Sequence, residues 1–191
     1  MNKINFSNVS DIFMNSNGNW TISSILGEIF NEIENLYGKR DMSFTILGVE
    51  LSKNNQPQTW FPGDRGHVLI QLTESCRNNI VEAVYQTAHE AVHCLFPKPF
   101  GSATYFEEGL ATYFAKKYIL FQQNIDMPIT IYKYQQAYDL VCELLSIDNS
   151  IIKRIREKYP DISSIDKNQL LQYGIPELLA DKLTTNFQQK I

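Results

Sequence analysis

Apolar residues recur at intervals of three and four between residues 20 and 37: Ile22, Ile25, Leu26, Ile29, Ile33 and Leu36 fall on one stripe, and Gly38 follows it. That spacing matches the 3.6-residue turn, so an amphipathic helix with a glycine stop is expected there. The pattern then changes. Residues 42–51 and the run His67-Val68-Leu69-Ile70-Gln71-Leu72-Thr73 read as strands, while Asn54 to Gly66, with Pro57, Pro62, Gly63 and Gly66, reads as a loop. Helical spacing returns at Ile80, Val84, Ala88, Val92 and Leu95, with Asn78 or Asn79 able to cap the start and Pro97-Lys98-Pro99 to end it. Tyr85, His89 and His93 form a second stripe beside the first. A further helix is expected from Thr104, another from Tyr134, and shorter helical pieces from Ile151 to Ile191. Residues 1–19 are rich in Asn and Ser and show no period.

This order is that of an α+β fold: a small mixed sheet over a long helix, with a helical C-terminal lobe. A chain of 191 residues fits one domain, with an upper lobe over about 20–96 and a lower one over about 97–191. Composition narrows the partners. A net charge of −4 argues against a nucleic-acid surface. The basic cluster Lys153-Arg154-Ile155-Arg156-Glu157-Lys158 reads as a solvated helix face. Cys76, Cys94 and Cys142 cannot all pair and show no metal spacing; the first two bracket a helix about 27 Å long, too far to bridge. Unpaired thiols, no basic and apolar leader and no run of membrane-spanning length point to a cytoplasmic protein that does not enter a membrane. Oligomeric state is left open.

The chemistry lies in two short segments. His89-Glu90-Ala91-Val92-His93 is an HExxH motif, and it uses two of the three histidines in the chain. On a helix, residues four apart are offset by about 40° around the axis and about 6 Å along it, so both imidazoles can reach one ion at roughly 2.0–2.1 Å. Glu90 sits about 100° round from His89, free to take a proton from an attacking water. Zinc suits such a site, which needs three protein ligands and an open position. Fourteen residues beyond His93 comes Glu107-Glu108-Gly109-Leu110-Ala111. Thr104 and Glu107 match a capping box, which gives Glu107 a structural task and leaves Glu108 to point elsewhere from the first turn, in a segment that can supply a third ligand. Gly109 removes a side chain that would hinder approach to the motif helix, and Thr112, four residues on from Glu108, can support a ligand through its hydroxyl. The plain alternative is a pair of core or surface histidines and a first-turn carboxylate favoured by the helix dipole; the two segments together outweigh it.

With these residues on the page, the chain resembles the gluzincins, metallopeptidases with two histidines from HExxH and a glutamate from a following helix. Aminopeptidase-N-like members carry Asn-Glu-Gly-Phe-Ala where this chain has Glu107 to Ala111, and the resemblance makes Glu108 the ligand. The stretch from Tyr134 to Leu144 is similar to the family's Tyr-led helix, whose first tyrosine stabilises the oxyanion; that implies Tyr134, with Tyr138 as the fallback. The shorter linker before Glu107, and the lack of a Gly-x-Met-x-Asn segment before the motif helix, make the resemblance one to a compact single-domain gluzincin rather than to an aminopeptidase. It implies zinc-dependent hydrolysis of peptide bonds with one Zn²⁺ held by His89, His93 and Glu108, and Glu90 as general base.

A peptide or protein substrate can add as a strand to an open sheet edge. The strand over 67–73 leads directly towards the motif helix and is the expected edge; His67 at its start reads as a surface residue. Two other functions use the same residues: a zinc-stabilised module without peptidase activity, and a zinc hydrolase acting on another bond.

Overall fold

The computed structural model describes residues 20–63, 66–99 and 101–191; the Asn- and Ser-rich stretch 1–19 lies outside them. Helix α1 spans Ile22–Tyr37. Thr21 Oγ1 accepts from the Ser24 N–H, and Gly38, at φ 92°, donates its N–H to Glu34 O to close the last turn. Ile22, Ile25, Leu26, Ile29, Ile33 and Tyr37 are buried, whereas Leu36 is 41% exposed, so the stripe ends one residue later than its spacing predicts.

Three strands form one sheet in the order β1-β3-β2. Strand β1 (Thr45–Ser52) runs parallel to β3 (His67–Thr73), with an irregularity between Ile46 and Gly48. Strand β2 (Gln58–Trp60) pairs antiparallel with β3 through Gln58–Gln71, Thr59–Ile70 and Trp60–Leu69. The region read as a loop therefore contains a strand, too short to show alternation. The expected edge is corrected as well: β3 is the central strand, and β2 forms the margin. Val68, Ile70 and Leu72 turn inward from β3 and are fully buried. His67 stands opposite Thr45 at the start of β3, half-buried.

A 3-10 turn (Glu74–Asn78) leads into α2 (Ile80–His93), whose N-cap is Asn79; its side chain accepts from the Glu82 N–H at 3.1 Å. Helix α3 (Tyr105–Gln123) ends at Asn124, a left-handed residue at φ 57°. Helices α4 (Tyr132–Ile147), α5 (Ile151–Lys158), α6 (Lys167–Leu171) and α7 (Glu177–Thr184) complete the chain. The architecture is mixed α+β. Helix α3 packs between α2 and α4, and α1 lies against α2 and β1. Buried apolar residues from Ile22 to Phe187 join in one core.

Two local expectations change in this packing. Gly109 makes room for α4, not for α2: a Cβ there would lie 2.2 Å from the Ala137 carbonyl oxygen and 2.8 Å from Val141 Cγ2. The basic cluster on α5 is not wholly solvated either. Lys153, Arg154 and Lys158 face solvent, but Arg156 is 5% exposed. Its guanidinium donates to Tyr37 O (2.7 Å), Gly38 O (2.9 Å), Lys39 O (3.1 Å) and Pro160 O (3.1 Å). Carbonyls at a helix C-terminus lack intrahelical donors, and a five-donor planar group is suited to gather them.

Candidate metal centre

The C-terminal half of α2 and the first turn of α3 pack against each other, and side chains from both line a cavity of about 1170 Å³. His89 and His93 lie one turn apart on α2 with ring centroids 5.3 Å apart. From α3, Glu108 Oε2 lies 3.2 Å from His89 Nε2 and 3.8 Å from His93 Nε2. The three ligand atoms lie within 4.8 Å of one another. Four-coordinate zinc with bonds of about 2.1 Å sets its ligands roughly 3.4 Å apart, so small rotations suffice to fit the ion. Two imidazole nitrogens and one carboxylate oxygen are also the donor set of a catalytic zinc site with an open position.

Thr104 caps α3 as expected, accepting from the Glu107 N–H at 3.3 Å. The reciprocal half of the capping box is absent. Glu107 Oε1 instead lies 2.7 Å from His93 Nδ1, because the first turn of α3 faces α2 rather than solvent. Sequence reading gave this residue only a cap; the one clue was that a ligating histidine's second nitrogen needs a partner. Thr112 supports Glu108 differently from expectation: its hydroxyl donates to the Glu108 backbone carbonyl at 2.8 Å, not to the carboxylate.

Glu90, 5% exposed, accepts a hydrogen bond from Thr59 Oγ1 at 3.1 Å. Burial raises its pKa above the ordinary carboxylate value, aided by the Glu108 charge and opposed by His93, His89 and the Thr59 bond. Thr59 escaped sequence reading because β2 did. Burial works against a charged His93, yet Glu108, Glu107 and Glu90 outweigh it and push its pKa up to about 10. Burial also opposes the Glu108 charge, but His93 and His89 hold its pKa below the usual range. These carboxylates make the cluster a receptor for positive charge.

Both candidate tyrosines lie on α4, and the structure brings one of them to the cluster. The Tyr134 ring meets His89 edge-on at 5.9 Å and lines the cavity. Burial, then the Glu108 and Glu90 charges, raise its pKa, so its hydroxyl keeps its proton. Tyr138, one turn on, packs 5.9 Å from Tyr113 and does not line the cavity. Phe187, absent from the sequence reading, packs 5.0 Å from Tyr134 and 5.1 Å from Tyr105. Its N–H donates to Ala103 O at 2.8 Å, while the Tyr105 N–H donates to Thr185 O at 3.0 Å, so the segment after α7 fastens the start of α3.

The cavity is bounded on one side by Gln58 and Thr59 of β2 and on the other by the Met127–Ile131 segment; His67 does not line it. No helix among the described residues is long and apolar enough to cross a membrane. Cys76, Cys94 and Cys142 are free thiols, the first two buried. No family model matches the chain, nor does a curated protein or a solved structure.

Proposed function

We propose that this chain is a zinc-dependent peptidase of the gluzincin type with a zincin-like fold, acting on peptide or protein substrates rather than on nucleic acid or a membrane. The observation that carries the reading is the convergence of His89 Nε2, His93 Nε2 and a Glu108 carboxylate oxygen, with Glu90 beside them, at a cavity open to solvent. Zinc bound there supplies a Lewis acid that polarises the scissile carbonyl and lowers the pKa of a water towards about 7.

The chain's own groups do the rest. Glu90 accepts a proton from the attacking water at its carboxylate and returns it to the departing amine; a raised pKa suits a group that must do both. Thr59 holds one of its oxygens in place. Tyr134 keeps its hydroxyl proton and donates it as a hydrogen bond to the carbonyl oxygen as negative charge builds, with Tyr138 too remote to share that task. The outer edge of β2 offers main-chain groups to an extended peptide. A metal of purely structural role would need neither a buried, unligated Glu90 nor an open cavity.

The test joins metal content to activity. Wild-type protein is expected to hold one zinc per chain and to cut members of a peptide library. Glu90→Gln is expected to keep the zinc and lose about 10²–10⁴-fold in turnover. Near-normal turnover in that variant, or a wild-type protein that binds no zinc, would refute the reading.

A further inference from the structure

We propose that Glu107 is a positioning residue: by accepting the Nδ1–H of His93, it commits that ring to offer Nε2 to the metal. The inference rests on the metal-site reading above. The Glu107 Oε1 to His93 Nδ1 separation is 2.7 Å, and the two side chains are each only 15% exposed. On the opposite edge of the same ring, Nε2 lies 3.8 Å from Glu108 Oε2. Two consecutive residues in the first turn of α3 thus address both nitrogens of one imidazole. Consecutive helix residues diverge by about 100°, and the ring of His93 projects into that angle.

A helix fixes where the Cβ of His93 lies but not how its ring is turned. A half-turn about Cβ–Cγ exchanges nitrogens for carbons, and a neutral ring carries its proton on either nitrogen. Only one arrangement places a bare Nε2 beside Glu108. A carboxylate at Nδ1 selects it, because a proton there is gained as a hydrogen bond and a bare nitrogen there would face a negative charge. His89 is managed by other means. Its Nε2 faces Glu108, and its ring is braced edge-on by Tyr134 rather than by a second carboxylate. The two metal-binding histidines are therefore held unequally, one by a hydrogen bond from α3 and one by an aromatic contact from α4.

The position of Glu107 is itself well determined. Thr104 holds its backbone N–H, and the Ala103–Tyr105 stretch is fastened to Thr185 and Phe187. The helix N-terminus also favours two adjacent carboxylates, through its unpaired N–H groups and dipole.

The experiment compares wild type, Glu107→Gln and Glu107→Ala. Zinc affinity is read by competition with a chromogenic chelator, and the ring orientation of His93 in the metal-free protein by NMR contacts of its Cδ2–H and Cε1–H. Wild type is expected to bind one zinc and, without it, to hold the His93 ring in one orientation, Nδ1 towards Glu107. Glu107→Ala is expected to weaken zinc about 10–100-fold and to lose the single ring orientation. Glu107→Gln, whose amide oxygen still accepts from Nδ1–H, is expected to fall between the two in affinity and to keep that orientation. Unchanged affinity in Glu107→Ala would overturn the proposal. So would weakened affinity with the single ring orientation kept, since charge alone would then explain the loss. A wild-type chain without stoichiometric zinc would instead overturn the metal-site reading on which this one rests.

Discussion

The two helices that meet at the cluster, α2 and α3, are held in different ways. In α2 the key groups are related by the helix itself: His89 and His93 are one turn apart, Asn79 caps the start, and Val84, Ala88 and Val92 lie along the buried side. Helix α3 is buried on several faces, with Tyr105, Phe106, Leu110, Ala111, Phe114 and Tyr118 all in the core. Its first turn is placed by three remote elements: α2 through Glu107, α4 through the gap left by Gly109, and the segment after α7 through Thr185 and Phe187. A pair of side chains set by local geometry survives changes elsewhere in the fold. A side chain set by packing depends on everything that packs against it.

Removing ligands should break the difference between the helices altogether. His93→Ala and Glu108→Ala are each expected to abolish stoichiometric zinc, measured by elemental analysis after gel filtration, because a site of three protein ligands leaves two. Full zinc in Glu108→Ala would show that α3 is not part of the site. The next largest effect concerns α4. Tyr134→Phe is expected to lower turnover by about 10²–10³-fold while leaving zinc content unchanged, as for the loss of one oxyanion donor. Tyr138→Phe should stay within about twofold of wild type on the same scale. Equal effects in steady-state assays would remove the distinction between the two tyrosines.

Packing around α3 gives a stability test. Gly109→Ala forces a methyl group against the α4 backbone and is expected to cost about 3 kcal/mol, the upper end for overpacking, read by urea unfolding. A cost under about 0.5 kcal/mol, the size of an ordinary surface substitution, would mean that α3 and α4 separate easily and that α3 is less constrained than argued.

The smallest effect lies in the connection between the two helices. Lys98 there pairs with Asp161 at 2.6 Å and donates to Ser163 and Ser164, which ties the connection to the turn Ile162–Ser164. Burial would raise the Asp161 pKa, but Lys98, Ser164 and Ser163 outweigh it and hold it below the usual range. A folded pKa below the unfolded one, about 3.9, means that the stabilisation is complete above that value and lost as pH falls through the folded pKa. Asp161→Asn should therefore cost about 1 kcal/mol at neutral pH, and the gap from wild type should close in acid. A gap that stays constant down to pH 2 would rule out the charge as its source.

Where the sequence reading succeeded, the information was local. The α1 and α2 stripes, the Thr104 cap and the separation of His89 from His93 follow from the period of one helix. It failed where a residue's task depends on a distant partner. Three residues of β2 carry too little alternation to be seen, and only pairing with β3 makes them a strand. Arg156 reads as one charge in a basic run, and becomes a clasp for α1 only when α5 is set against Tyr37 and Gly38.

The candidate site divides along the same line. The chain by itself determined that two imidazoles and a glutamate would share one stretch of helix and that a carboxylate pair would follow at a helix start, because helical periodicity and capping act over a few residues. Only the tertiary structure decided which carboxylate meets which histidine, that Tyr134 rather than Tyr138 faces them, and that Thr59 reaches Glu90 from the sheet margin. Those choices are made by the angle and depth at which α2, α3, α4 and β2 pack, and that depends on side-chain volumes spread over the whole core.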